Sequence, residues 1–389
     1  MSFIYDIINL EFVLVILLLI LSYLRLDIFK SSLIFIHLLV IFLLNDVLFE
    51  PNYWPDQIRY LKYTLQIRES AYNTIGVFGD YGARIGFPST IYAFSPLPFI
   101  NSVQSLAMIN FLLYLLSFVY LRKKRVSSNS VDFFFLLYPS FLLYSSLALR
   151  GTLVTLFMIL SLYFLIVEGK RLIALIFLLL LAFIKIQNFL IFVLAYFVYL
   201  FIRKGSIQRY LIFFGGGLLI VLFGNRIPLI KFLFERLDWY RYNLIAENFG
   251  YNWDFMANYD YQPFTVGFSM IPLLLKSFVY MLFKPFPWEA TNLVQMIQSI
   301  ENIFIFALIV WMVRKKVLTP IIKRKLVFLN ILLILSMTIY GLVTFNFGTA
   351  ARFRFPFIVV YLVFYLYLLR SDKIVSSQYS RGYSSTLSI

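Results

Sequence analysis

The chain has 389 residues, of which 62% are hydrophobic and 13% charged, and its mean hydropathy is +0.87. A soluble domain carries about 45–50% apolar and about 25% charged residues, so this composition excludes a water-soluble fold for most of the chain. Lys and Arg number 34 against 18 Asp and Glu; there is no cysteine, which excludes disulfides and thiolate chemistry, and the single histidine, His37, leaves no His-based metal cluster.

Apolar stretches of a length suited to about 30 Å of hydrocarbon recur throughout. In chain order they are Ile7–Leu24, Ser31–Phe49, Val103–Leu121, Val131–Leu147, Gly151–Val167, Leu172–Ile184, Phe189–Ile202, Tyr210–Phe223, Leu293–Val313, Leu326–Phe345 and Pro356–Leu369. Asp6 and Glu11 stand where a cleavable signal would carry basic residues, so none is expected. Basic clusters lie at Arg25/Lys30, Arg122–Arg125, Lys170/Arg171, Arg203/Lys204/Arg209, Arg314–Lys316 with Lys323–Lys325, and Arg370/Lys373/Arg381. If each stretch crosses once, every cluster falls on one side, which the positive-inside rule makes the cytoplasm. The basic excess then needs no nucleic-acid partner. The expected architecture is an all-α, polytopic transmembrane helix bundle of about 11 spans (roughly 10–14). It forms one domain over residues 1–370, with its amino terminus outside and residues 371–389 a disordered cytoplasmic tail.

Two long segments, about residues 50–102 and 224–292, stay on the outer side and are rich in Tyr, Trp, Pro and Gly. Each holds an apolar stretch, Ile85–Ile100 and Phe264–Phe283, expected to be a re-entrant or interfacial helix. Topology does not account for the cations near this face: Arg59, Lys62, Arg68, Arg84, Arg150, Lys185, Arg226, Lys231, Arg236, Arg241, Lys276, Lys284, Arg352 and Arg354. An outward cavity for an anion would account for them. Arg150 stands between two short apolar stretches, where a charge is costly unless it reaches water or a partner. Lys185 interrupts an apolar run too long for one straight span, which predicts a break there. For both residues, snorkelling to the headgroups is the alternative. Arg352 and Arg354 follow Gly348 in the last outer turn and, being two apart, do not share a helix face. A guanidinium fork and a lysine point charge both suit phosphate oxygens, and a pyrophosphate-linked lipid needs cations and an apolar bundle together.

Among outer carboxylates, Asp56 is placed to deprotonate an attacking sugar hydroxyl, or else to pair with Arg59 or Lys62 or cap a helix. Glu289, in the turn FKPFPWEATN, either serves the same purpose or caps the helix that follows. Arg59, Tyr60, Arg84 and Trp288 are secondary candidates for substrate contact. Glu301 lies inside an apolar span and is expected to face the bundle interior.

Three passages together resemble the O-antigen polymerase (Wzy) family: Pro139 followed by YSSLALR ending at Arg150, the break FIKIQNF around Lys185, and NFGTAARFRFP ending at Pro356. In the family an acidic residue or glutamine often follows the first arginine, whereas this chain has Gly151. The resemblance implies an inner-membrane glycosyltransferase working on the periplasmic face. It would pass a growing glycan from undecaprenyl-pyrophosphate to an incoming lipid-linked repeat unit, with neither metal nor nucleotide sugar. Arg150, Lys185, Arg352 and Arg354 would hold the pyrophosphate, and Asp56 or Glu289 would be the base. Its partners would be the lipid-linked oligosaccharide, membrane lipids, a chain-length regulator and a flippase. Two other readings stand beside it: a polyprenyl-phosphate-sugar-dependent transferase, and a flippase or transporter for lipid-linked glycans.

Overall fold

A computed structural model describes residues 2–45, 47–49, 54–203, 207–249, 263–317, 319–344 and 346–385. The chain is an all-helical, multi-pass membrane protein, with no strand among the described residues. A chain in hydrocarbon must satisfy its backbone internally, which a helix does within one segment. By length and composition six helices suit a membrane crossing: Ile4–Leu24, Val103–Lys123, Ile186–Arg203, Leu293–Val313, Pro320–Val343 and Phe347–Ile374. A seventh is counted if the pair Gly215–Arg226 and Pro228–Asn243, bent by 87°, is one broken span. Shorter apolar helices cover Ile28–Leu44, Gly151–Val167, Arg171–Ile184 and Met270–Phe283.

The chain divides into two compact units. The first comprises Met1–Leu190, Lys315–Ile322 and Phe355–Ile389. It contains α1 (Ser2–Leu24), α2 (Ile28–Leu44), α3 (Pro55–Glu69), α4 (Asn73–Tyr81), α5 (Ala83–Ala93), α6 (Val103–Lys123), α7 (Asn129–Leu137), α8 (Pro139–Ser145), α9 (Gly151–Leu162) and α10 (Arg171–Ile184). The second comprises Ile191–Arg314 and Lys323–Arg354. It contains most of α11 (Ile186–Arg203), then α12 (Ile207–Phe223), α13 (Pro228–Phe249), α14 (Met270–Phe283), α15 (Leu293–Val313) and most of α16 (Pro320–Val343). The last helix, α17 (Phe347–Ser385), begins in the second unit and continues in the first. Its helical backbone runs on past residue 370, into the stretch expected as a tail.

In the first unit, α1 is tied to the start of α6 by polar groups. The buried Asp6 carboxylate accepts hydrogen bonds from Ser102 at 2.5 Å and Ser105 at 3.1 Å, and Asn9 exchanges two hydrogen bonds with the backbone of Phe99. Ser102 and Ser105 also form the capping box that starts α6. Lys30 and Arg122, read from sequence as topology-setting cations, share the buried carboxylate of Asp132 at 3.5 and 3.1 Å.

The single span expected over Val131–Leu147 is instead broken into α7 and α8 at Tyr138–Pro139. Proline brings no N–H to the helix ladder, which hydropathy does not register. Phe141 and Tyr144 stack on Phe355 of α17 at 5.9 and 5.0 Å, and Phe135 lies edge-on to Phe141. A Cβ on Gly151 would lie 2.8 Å from that Phe355 ring. Glycine at 151 thus lets α9 start against α17.

In the second unit the 3₁₀ turn Gly224–Arg226 and Pro228 redirect the chain between α12 and α13. Helices α14 and α16 cross at Ser277 and Gly341 so closely that a Cβ on Gly341 would sit 2.0 Å from the Ser277 carbonyl oxygen. Only glycine permits that approach.

Candidate functional site

Between α8 and α9 the chain runs through Ser146–Leu149 outside either helix, only the Ser146 N–H still bonding back to Leu142, and all four residues are buried. Irregular backbone at such a place must find its partners within the protein. Three buried amides supply them. Asn110 of α6 donates to the carbonyls of Leu147 and Leu149 at 2.6 and 2.7 Å. Gln57 of α3 accepts from Ala148 N–H at 2.6 Å, and Asn45 at the end of α2 donates to the carbonyl of Ser146 at 3.1 Å. Tyr92 of α5 donates to Asn110 Oδ1 at 3.1 Å, which fixes the orientation of that amide. The sequence reading missed these three residues. An amide such as Asn110 inside an apolar span is itself the signal that would have found them.

Arg150 follows this clamped loop and is the N-cap of α9. Its Nη1 donates to the carbonyls of Ile184 at 2.8 Å and Arg84 at 3.1 Å. The Ile184 carbonyl belongs to the last turn of α10, where main-chain acceptors lack helical partners. The expected break is present: α10 ends at Ile184, Lys185 is the C-cap, and α11 begins at Ile186. Lys185 is buried. One guanidinium therefore gathers Arg84, Arg150 and the Lys185 break into one neighbourhood. Three helices, α5, α9 and α11, also begin there, and neither α5 nor α9 has a side-chain cap on its first turn. Helix N-termini carry partial positive charge and unpaired N–H groups. Neither Arg84 nor Arg150 has an ion pair among the described residues, so the charge is not cancelled by an acid.

The remaining candidates are distributed as follows. Asp56 lies half-exposed in the first turn of α3, 3.7 Å from Arg59 of the same helix. Tyr60 is buried, with its ring edge-on to Tyr92 at 6.2 Å. It is therefore part of the packing of α3 on α5. Glu289, in the second unit, uses both oxygens: Oε1 pairs with Lys284 at 2.9 Å, and Oε2 accepts the Phe286 N–H at 3.1 Å. Trp288 beside it is exposed and stacks on Phe286 at 5.0 Å. Arg352 is half-buried near the start of α17, its guanidinium 5.7 Å from the Phe353 ring. Arg354 is buried, with Nη1 donating to the carbonyls of Met281, Leu282 and Lys284 at 2.8, 3.1 and 3.3 Å. Glu301 is buried in α15, as expected.

Several cations set apart by topology thus act on backbone. Arg68 is the fullest example, donating to the carbonyls of Ala93, Ser95, Leu97 and Pro98 and closing the turn after α5. Its burial lowers its pKa, though a guanidinium remains protonated in proteins. Arg241 donates to the Leu342 carbonyl at 2.7 Å and pairs with Asp238 at 3.2 Å. Lys62, Arg226, Arg236 and Lys276 lie over the rings of Tyr63, Phe223, Trp239 and Tyr280. Much of the outer cation excess serves freed carbonyls and aromatic faces, and Arg150 too donates to the carbonyls of Arg84 and Ile184. Comparison of the chain with family models, with curated proteins and with solved structures gives no match.

Proposed function

We propose that the chain is a polysaccharide repeat-unit polymerase of the bacterial inner membrane. It transfers a glycan from undecaprenyl-pyrophosphate to an incoming lipid-linked repeat unit on the periplasmic face, and about 11 apolar stretches, from Ile7–Leu24 to Pro356–Leu369, cross the bilayer. The observation that carries the reading is the meeting of Arg84, Arg150 and the Lys185 break at uncapped helix N-termini. Lipid carries one end of such a substrate, and the cations receive the pyrophosphate. With Nη1 held by two carbonyls, Arg150 keeps its Nε–Nη2 edge for phosphate oxygens. As the glycosidic bond to the carrier breaks, negative charge grows on the departing pyrophosphate, and preorganised cations stabilise it there. Asp56, beside Arg59, or Glu289, beside Lys284, is the assigned base. It takes the proton of the attacking hydroxyl.

Deletion of the gene in its host, followed by complementation, tests the reading through the surface polysaccharide ladder. Loss of the protein should collapse the ladder to a single repeat. Arg150→Ala should insert normally yet lower chain extension about 100–1,000-fold, the size of effect seen when one oxyanion donor is removed. A normal ladder from Arg150→Ala would overturn the site. Loss of even the first repeat would point to an earlier transferase or a flippase.

A further inference from the structure

The second unit contains a group of buried polar atoms that the proposed reaction does not use. Helix α15 buries Gln298, Ser299, Glu301 and Asn302. Asn302 Nδ2 donates to the carbonyls of Phe283 and Lys284 at 2.9 and 3.1 Å. Arg354 Nη1 reaches the same Lys284 carbonyl, so the two side chains meet on one oxygen at the end of α14. Beyond that oxygen, Arg354 Nε and Nη2, Asn302 Oδ1 and Ser299 Oγ have no hydrogen-bond partner among the described residues. All three residues are 1% exposed. Ser299 and Asn302 are three apart on α15 and share a face. Buried polar atoms are nearly always paired, so four left over on neighbouring side chains mark a place where a ligand group completes them.

The chemistry of that group follows from the amide. Two carbonyls can be faced only by the NH₂ end of Asn302, which leaves Oδ1 as a pure acceptor. An ionised phosphate oxygen carries no proton for Oδ1 and would repel it. A hydroxyl serves both sides, accepting from the guanidinium and donating to Oδ1. The Arg354 charge is also already met by the carbonyls of Met281, Leu282 and Lys284, at the negative end of α14. We propose that Arg354, Asn302 and Ser299 form a binding site for a neutral O–H group, carried by a sugar or by water, and that this site does not take pyrophosphate. The glycan source rests on the polymerase reading. Arg354 then contacts a hydroxyl of a glycan rather than a phosphate.

Ser299→Ala is the informative variant. Arg354→Ala or Asn302→Ala would also free the α14 carbonyls, whereas Ser299 Oγ bonds nothing in the protein among the described residues. Purified wild type and Ser299→Ala are compared in detergent for apparent Tm with and without inorganic pyrophosphate, and for KM and kcat with lipid-linked repeat units. A sugar hydroxyl predicts KM raised about 2–10-fold at nearly constant kcat, the worth of one hydrogen bond, with Tm not lowered and an unchanged pyrophosphate shift. A lowered Tm at constant KM assigns the O–H to bound water and supports the site. A smaller pyrophosphate shift in the variant overturns the proposal, as does no change in any quantity. If wild type shows no turnover, the polymerase reading fails while the two Tm comparisons still judge the site.

Discussion

Asn110→Ala is the sharpest test of how the Arg150 loop is held. The substitution removes two donors, to the Leu147 and Leu149 carbonyls, and the acceptor of the Tyr92 hydroxyl. Asn110 is 0% exposed, as are Tyr92 and Leu147, and Leu149 is 2% exposed, so water does not readily replace the lost partners. An unsatisfied buried polar group costs about 1–3 kcal/mol. Three such groups set an upper range near 9 kcal/mol, and backbone relaxation together with entry of one water brings the expectation to about 3–5 kcal/mol. For a unit of this size that is a fall in apparent Tm of roughly 6–20 °C. The assay is thermal unfolding of the purified protein in one detergent, with Gln187→Ala, an exposed amide change expected within about 0.5 kcal/mol, as the control. Asn110→Asp should be no better than alanine, because a carboxylate would face two carbonyls. If Asn110→Ala unfolds within about 1 kcal/mol of wild type, the amide clamp does not hold the loop and the reasoning fails.

Gly341→Ala places a Cβ 2.0 Å from the Ser277 carbonyl oxygen and 2.6 Å from its carbon, both backbone atoms that cannot rotate aside. It should cost more than about 3 kcal/mol and lower the yield of folded protein, measured by size exclusion in detergent; a wild-type profile and Tm would refute the close crossing. Arg68→Lys keeps the charge but cannot reach four carbonyls, so it should destabilise about as much as Arg68→Ala, by roughly 2–4 kcal/mol in thermal unfolding. Full rescue by lysine would show that only charge matters there. Glu168 has its pKa lowered, first by the Lys170 hydrogen bond and then by that of Tyr163. Its contribution is therefore present above the ordinary glutamate pKa of about 4.3 and is lost as pH falls through the lower folded value. Tm measured against pH should fall more steeply on acidification in wild type than in Glu168→Gln, and parallel curves would refute the linkage.

What the sequence made legible was whatever a single segment expresses by itself. The break at Lys185 could be read because an apolar run too long for one span must fold back, and Arg150 because a charge between apolar stretches is costly. The break at Pro139 was passed over because hydropathy averages across a missing N–H. The roles of Asn110, Gln57 and Arg354 depend on main-chain groups 37, 91 and 73 residues away, a carbonyl, an N–H and a carbonyl, and backbone groups look alike in sequence. Tyr60 lies in an aromatic outer segment that suits a sugar surface, and its edge-on contact with Tyr92 is not expressed by its own segment.

The loop ahead of Arg150 is held almost wholly through its main chain: carbonyls of Ser146, Leu147 and Leu149 and the N–H of Ala148. Selection therefore sees the letters at 147, 148 and 149 only through the volume they fill, while the amides at 45, 57 and 110 and the guanidinium at 150 are tied to atoms every residue possesses. Two descendants of such a protein can exchange most of the loop and keep the arginine in the same place. What they must inherit is four scattered positions, a pattern too thin to register as a shared motif.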